Sequence, residues 1–270
     1  MKNFVIVIFD IDGVIRDVSN SYRRALADTV EKFTQGAYRP SQADIDALKE
    51  EGIWNNDWEA SQELTYRHFE RQGQSREQLN LNYEAIVDYF QRCYRGTELD
   101  YPDQWNGYIT QEPLLLQSAY LQQLTAAGIL WGFFSGATQG SARYVLEKRL
   151  GLQSPVLVAM EDAPGKPNPT GLFQATLAVS AKQRVQLSPD SLPVIYVGDT
   201  VADMYTVTQA RTQQPDRQWV GVGVLPPHAQ ASADYATDYT DKLKQAGAAI
   251  VLSNVEQLHP MQIGRLLNSQ

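Results

Sequence analysis

Apolar and polar positions along this chain fall into two regimes. The first is a series of short apolar runs, each cut off by polar residues. Phe4-Val-Ile-Val-Ile-Phe9 stops at Asp10, Ile129-Leu-Trp-Gly-Phe-Phe134 stops at Ser135, 156–160 stops at Glu161, and 194–197 stops at Gly198-Asp199; 219–224 is a fifth run. Short runs rich in β-branched residues and apolar at every position predict strands buried on both faces, as in a parallel sheet. Helical patterns separate them, at about 115–127, 138–150, 169–181, 201–212 and 234–246. This alternation predicts right-handed βαβ units and an α/β fold: a doubly wound, mostly parallel sheet.

The second regime, residues 18 to about 100, contains no strand pattern. After a helix at 18–35, Ser41 with Asp44 resembles a capping box, Ile45 and Leu48 share a face, and Gly52 ends that helix. Asn56 is placed to cap a helix running to about Gly73. Leu79, Tyr83, Ile86, Phe90 and Cys93 or Tyr94 then recur at steps of three and four, an amphipathic stripe. The segment therefore predicts a four-helix block inserted after the first strand, with 1–17 and 101–270 forming the α/β core domain and 18–100 the inserted helical domain.

Composition narrows the possible partners. With 23 Lys+Arg against 31 Asp+Glu the formal net charge is -8, and no Lys/Arg cluster is dense enough to hold a polyanion, so nucleic acid is not an expected partner. The longest apolar run, 4–9, falls well short of the ~18 residues of a spanning helix. It is also too short for a signal peptide. No membrane association is expected. Cys93 is the single cysteine, which excludes an intrachain disulfide and fits a reducing, cytoplasmic setting. His68, His228 and His259 lack zinc-binding spacing, and Gly221-Val-Gly223 lacks the third glycine of a dinucleotide fingerprint.

Ligands of open α/β sheets bind beyond the carboxyl ends of the strands. Those ends carry Asp10 and Asp12, Ser135, Lys166, and Asp199 with Asp203. Carboxylates converging in one crevice need a cation between them, and all-oxygen ligation suits a hard ion, best Mg²⁺. A serine hydroxyl, the backbone N–H groups after it and one lysine make a cradle for a tetrahedral anion. Together these groups point to phosphoryl transfer. Singly, each has an ordinary structural role: Asp10 and Asp12 as turn formers before Gly13, Ser135-Gly136 as a turn, Asn168-Pro169 as a helix start, Asp199 and Asp203 as cap and first-turn acid. Their joint order has no such explanation.

In that order and approximate spacing, Asp10-Ile-Asp-Gly-Val14, Ser135-Gly136, Lys166-Pro-Asn-Pro169 and Gly198-Asp-Thr-Val-Ala-Asp203 resemble the four motifs of the haloacid dehalogenase (HAD) superfamily. The likeness covers about residues 4–250, and the insert is similar to the helical cap of the phosphoglycolate phosphatase and β-phosphoglucomutase subfamily. The resemblance implies a Rossmann-like core and a Mg²⁺-dependent phosphatase of small phosphorylated metabolites. Asp10 is then the nucleophile, forming an aspartyl-phosphate, and Asp12 the general acid and base. Asp10, the Asp12 backbone carbonyl and Asp199 hold Mg²⁺, supported by Asp203, while Ser135, Gly136 and Lys166 bind phosphate.

Alternatives within the family differ at specific positions. A phosphonate hydrolase needs a Schiff-base lysine in the cap, whereas the insert holds Lys32 and Lys49 on polar stretches. The mutase resembles this chain after the nucleophile, yet carries threonine and histidine where Val18 and Tyr22 stand, which favours hydrolysis. A phosphosugar mutase and a catalytically silent binding protein of the same fold remain the alternatives. Substrate specificity is expected from the insert and its approach: Arg16, Arg23 or Arg24, and Trp54, Asn55, Asn56 and Asp57 of Ile53-Trp-Asn-Asn-Asp-Trp58.

Overall fold

The computed structural model describes residues 5–51, 53–54, 56–182 and 192–268. In chain order its elements are β1 (Ile6–Phe9), α1 (Tyr22–Phe33), α2 (Gln42–Glu50), α3 (Asp57–Glu70), α4 (Arg76–Leu79), α5 (Tyr83–Arg95), α6 (Ser118–Ala126), β2 (Leu130–Phe134), α7 (Gln139–Arg143), β3 (Leu157–Val158), α8 (Thr170–Lys182), β4 (Val194–Gly198), α9 (Val201–Gln213), β5 (Trp219–Val224), α10 (Ala233–Gln245), β6 (Ala248–Leu252) and α11 (Pro260–Asn268). They form two compact units, one of Met1–Asp17 with Pro113–Gln270 and one of Val18–Glu112.

In the first unit every strand pair is parallel, and the order is β3-β2-β1-β4-β5-β6. The order reverses direction at β1, whose neighbours are β2 and β4. Such a switch point leaves a crevice at the carboxyl ends. Register brings the strand tips level, because Phe9 lies opposite both Phe133 and Val197. Asp10, Ser135 and Asp199 therefore leave the sheet at the same edge.

Strand alternation distributes the core over two faces. Val5, Val7 and Phe9 pack with Leu121, Leu124 and Leu146 on one face, whereas Ile6 and Ile8 pack with Leu172, Val179 and Val207 on the other. Both faces are apolar, hence the unbroken apolar runs. The expected strand at 156–160 is reduced to β3, and β6 adds a sixth, half-exposed edge strand. The helix expected over 138–150 is α-helical only through α7, then continues as a π-helix at Tyr144–Arg149.

The helical unit departs from the expected four helices. Leu79 belongs to α4 rather than to the stripe of α5, because Asn80 adopts a left-handed conformation (φ 40°) that ends α4. Asn82 then caps α5, its Oδ1 accepting the Ala85 N–H at 3.0 Å. The unit also extends past 100. Two 3₁₀ turns, Pro102–Gln104 and Tyr108–Gln111, bury Trp105 and Ile109, and Ser21 Oγ donates to buried Glu112. Ser41 and Asp44 form the expected capping box; Gly52 lies outside the described residues.

Candidate active site

The loop after β1 folds on itself. The Ile11 carbonyl accepts from Val14, Ile15 and Arg16 N–H groups, and Gly13 N–H donates to the Arg16 carbonyl at 2.9 Å. Gly13 takes a left-handed φ of +73°, and a Cβ there would meet Asp199 Oδ2 at 2.0 Å. Glycine is required twice over, by backbone conformation and by the closeness of the next strand's acid.

Asp10 continues the ladder, its N–H donating to the Val197 carbonyl at 2.8 Å. Its Oδ2 lies 2.9 Å from Lys166 Nζ, and its Oδ1 is buried without a hydrogen-bond partner. Burial pushes the Asp10 carboxyl up to about 7, with Lys166 opposing and the charges of Asp203 and Asp12 reinforcing the rise. Asp199, at the tip of β4, is likewise raised well above the usual carboxylate range by burial and by Asp203 and Asp10.

Asp203 is a different kind of acid. It sits in the first turn of α9 and closes a capping box, Thr200 N–H and Oγ1 donating to its Oδ2 at 3.0 and 2.6 Å. Its Oδ1 accepts from Lys166 Nζ at 2.7 Å and from the Tyr196 hydroxyl at 3.0 Å. Burial alone would raise this carboxyl, but Lys166 and Thr200 outweigh it and hold Asp203 below its ordinary value. Lys166 is almost wholly buried and lies over the rings of Phe134 and Tyr196, at 5.4 and 5.5 Å. Asp10 and Asp203 overcome its burial and keep the ammonium protonated.

Asp10, Asp199 and Asp203 each offer one oxygen, all within 4.8 Å of one another. Ionised together, three carboxylates against one ammonium would leave two negative charges uncompensated, and Asp10 Oδ1 is an orphaned buried acceptor. Both facts fit a hard divalent cation. The same sheet edge carries Ser135, buried, whose N–H donates to the Val158 carbonyl and whose Oγ accepts the Ala137 N–H at 3.1 Å. Gly136 is exposed, with open space where a Cβ would stand.

Among the described residues, those expected to contact substrate have partners within the protein. Arg16 is fully buried, with Nε 2.6 Å from Asp12 Oδ1. Arg23 pairs with Asp46 at 2.6 Å, and Arg24 lies over the Tyr108 ring. Trp54 Nε1 donates to Glu51, Asn56 caps α3 through the Trp58 N–H, and Asp57 pairs with Lys49. Asn55 lies outside the described residues. Two further site residues are not singled out by the sequence. Thr200 carries a signal there, as the first residue of Thr200-Val-Ala-Asp203 with its capping-box spacing; Tyr196 differs from its neighbours only as the one hydroxyl in an apolar strand.

A family model for haloacid dehalogenase-like hydrolases matches residues 4–211. Among curated proteins, the imidazoleglycerol-phosphate dehydratase of Phytophthora nicotianae is 27% identical over 255 residues, covering 92% of this chain and 50% of that protein. This chain thus spans half the length of the curated relative it matches. Among solved structures, phosphatase Tt82 from Thermococcus thioreducens aligns with TM-score 0.63 and 22% identity, over 81% of this chain and 93% of that one. HAD hydrolase, family IA, variant 3 from Entamoeba histolytica gives TM-score 0.60 and 12% identity over 98% and 99%. CbbY from Rhodobacter sphaeroides, in complex with phosphate, gives 0.56 and 12% over 96% of each. At these identities the likeness is one of fold.

Proposed function

Since the chain belongs to the haloacid dehalogenase-like hydrolase family, we propose that it hydrolyses phosphomonoesters of small metabolites with Mg²⁺ as cofactor. The observation that carries this reading is Lys166, largely buried and bonded to both Asp10 and Asp203, beside a carboxylate oxygen that has no partner. An ammonium so placed neutralises a phosphoryl group at Asp10.

Asp10, the Asp12 carbonyl and Asp199 would hold the cation. Asp203, its oxygens already engaged by Lys166, Tyr196 and Thr200, acts one step removed by orienting Lys166. A cation held there would supply positive charge for the phosphoryl oxygens and would favour the carboxylate form of Asp10. Asp10 Oδ then attacks phosphorus as the ester oxygen leaves, and Asp12 delivers a proton to that oxygen. In the second half Asp12 takes a proton from the water that attacks phosphorus and frees Asp10. Ser135 Oγ and the Gly136 N–H bind non-bridging oxygens throughout.

Hydrolysis is favoured over phosphosugar transfer by Tyr22, which occupies the place of the mutase histidine. Its ring stacks on Tyr94, centroids 4.3 Å apart, as packing inside the helical unit. The reading is tested by phosphate release from p-nitrophenyl phosphate and from a panel of phosphorylated metabolites, with and without Mg²⁺. Imidazole-bearing monoesters belong in the panel, since the Phytophthora nicotianae relative is named for an imidazoleglycerol phosphate. Release that requires Mg²⁺ and vanishes in Asp10→Asn is the expected result. No release under either condition would replace the enzyme by a silent binding protein of the same fold.

A further inference from the structure

We infer that Arg16 is the positioning residue of the proton-transferring Asp12, an inference that rests on the phosphatase function proposed for the chain. A guanidinium is costly to bury, and Arg16 is among the largest fully buried side chains of the molecule. Its Nε donates to Asp12 Oδ1 at 2.6 Å, whereas the Asp12 side chain itself is 29% exposed. The ion pair therefore joins a fully buried cation to a partly exposed acid.

The backbone of Arg16 is held from both sides. Arg16 N–H donates to the Ile11 carbonyl, and its own carbonyl accepts the Gly13 N–H. Across from it, residues 15–17 pair with 113–115: Asp17 N–H donates to the Pro113 carbonyl at 2.9 Å, Leu115 N–H donates to the Ile15 carbonyl at 2.8 Å, and Arg16 forms an antiparallel bridge with Leu114. This short two-stranded ribbon fixes the Arg16 Cα, burial fixes its side chain, and the bond to Oδ1 fixes the Asp12 carboxyl. A choice of about three staggered Asp12 rotamers is thereby reduced to one.

Arg16 gains and loses no proton in this role. The proton travels from the Asp12 carboxyl to the ester oxygen as that oxygen leaves phosphorus and the Asp10–phosphorus bond forms. Orientation matters most when the leaving oxygen is strongly basic and cannot depart unprotonated. An arrangement of this kind acts through Asp12, so removing Arg16 should cost nothing once Asp12 is unable to serve.

The test is a double-mutant cycle on the full chain with Mg²⁺ present, reading kcat/KM, which is governed by the steps up to formation of the phosphoenzyme. Arg16→Gln is expected to lower kcat/KM for an alkyl ester such as glycerol phosphate by about thirtyfold or more, and for p-nitrophenyl phosphate by less than about fivefold. Competitive inhibition by inorganic phosphate should be unchanged, because the anion cradle is untouched. In the Asp12→Asn background the same substitution should change the alkyl rate by less than about twofold, and Arg16→Lys should recover part of the loss. If Arg16→Gln fails to fold, as judged by near-ultraviolet circular dichroism, Arg16→Lys carries the cycle. Equal losses on both esters, or losses that add in the double variant, would overturn the positioning role while leaving the phosphatase intact. A wild-type chain inactive on both esters would instead remove the phosphatase reading itself.

Discussion

Asp199 Oδ2 fills the space that a side chain on Gly13 would need, the two lying so close that a Cβ would stand 2.0 Å from the oxygen. The acid at the tip of β4 and the turn after β1 are thus built as one object. Gly13→Ala forces either the Asp199 carboxyl or the loop to move, in addition to a strained φ of +73°. The expected cost is about 1–3 kcal/mol of stability, with loss of at least about a hundredfold in turnover because the proposed metal ligands would separate. Thermal melting and steady-state kinetics on the same sample check both; an alanine variant with unchanged turnover would contradict the metal arrangement.

Asp10 contributes a defined share of the pH dependence of the metal-free protein. Its carboxyl is raised from 3.8 to about 7 in the fold, so the folded state holds this proton more tightly than the unfolded state does. The stabilisation is complete below the unfolded value and is lost as pH rises through about 7. With a chelator present, melting temperature should therefore fall between about pH 4 and pH 8 by an amount equivalent to a few kcal/mol. Asp10→Asn should remove this share of the dependence, leaving the share that Asp199 contributes in the same direction, while losing turnover about a thousandfold or more. Added Mg²⁺ should restore stability on the alkaline side, since the ion binds the folded state alone.

Lys166 is the counter-charge for two buried acids, at 2.9 Å from Asp10 and 2.7 Å from Asp203. Lys166→Met leaves both without it, and breaking a buried pair in this way costs about 3–5 kcal/mol. We expect a large drop in melting temperature that lowered pH partly reverses, because protonating the stranded carboxyls relieves the repulsion. Activity should be lost throughout. A variant as stable as the parent at neutral pH would show that the charges are screened by other means.

Tyr196→Phe isolates one hydrogen bond without altering packing. The hydroxyl donates to Asp203 Oδ1 at 3.0 Å and lies 3.2 Å from the Phe134 carbonyl. Its removal should cost about 1–2 kcal/mol. The remaining Lys166 and Thr200 bonds to Asp203 should hold the loss in kcat to about tenfold or less. Differential melting and kcat measured together separate this positioning effect from the collapse expected for Lys166→Met.

Much of the site is legible in the order of residues along the chain. Asp10, Ser135 and Asp199 each terminate an apolar run, and parallel strands in register must release such residues at one edge. Lys166 and Asp203 are likewise marked by loop position and spacing, whereas the cap that holds Asp203 is Thr200 and not the expected Asp199. The substrate-facing candidates are not legible, because Arg16, Arg23 and Arg24 are alike in sequence, whereas in the molecule they meet Asp12, Asp46 and Tyr108. The break between α4 and α5 is hidden for a similar reason: the apolar spacing runs through Leu79, but the left-handed Asn80 turns the chain.

Sequence alone determined the alternation of the first five strands with helices, the two-faced burial of the sheet and the identity of the acids at its tips, because each follows from local periodicity and from where apolar runs stop. Tertiary structure decided which oxygen of Asp203 meets Lys166 and which meets Thr200, that Tyr196 joins them, that Gly13 must yield its side chain to Asp199, and that Arg16 turns inward to Asp12. Those relations join residues that are distant along the chain or indistinguishable by type, and they depend on distances of a few ångströms that only packing can set.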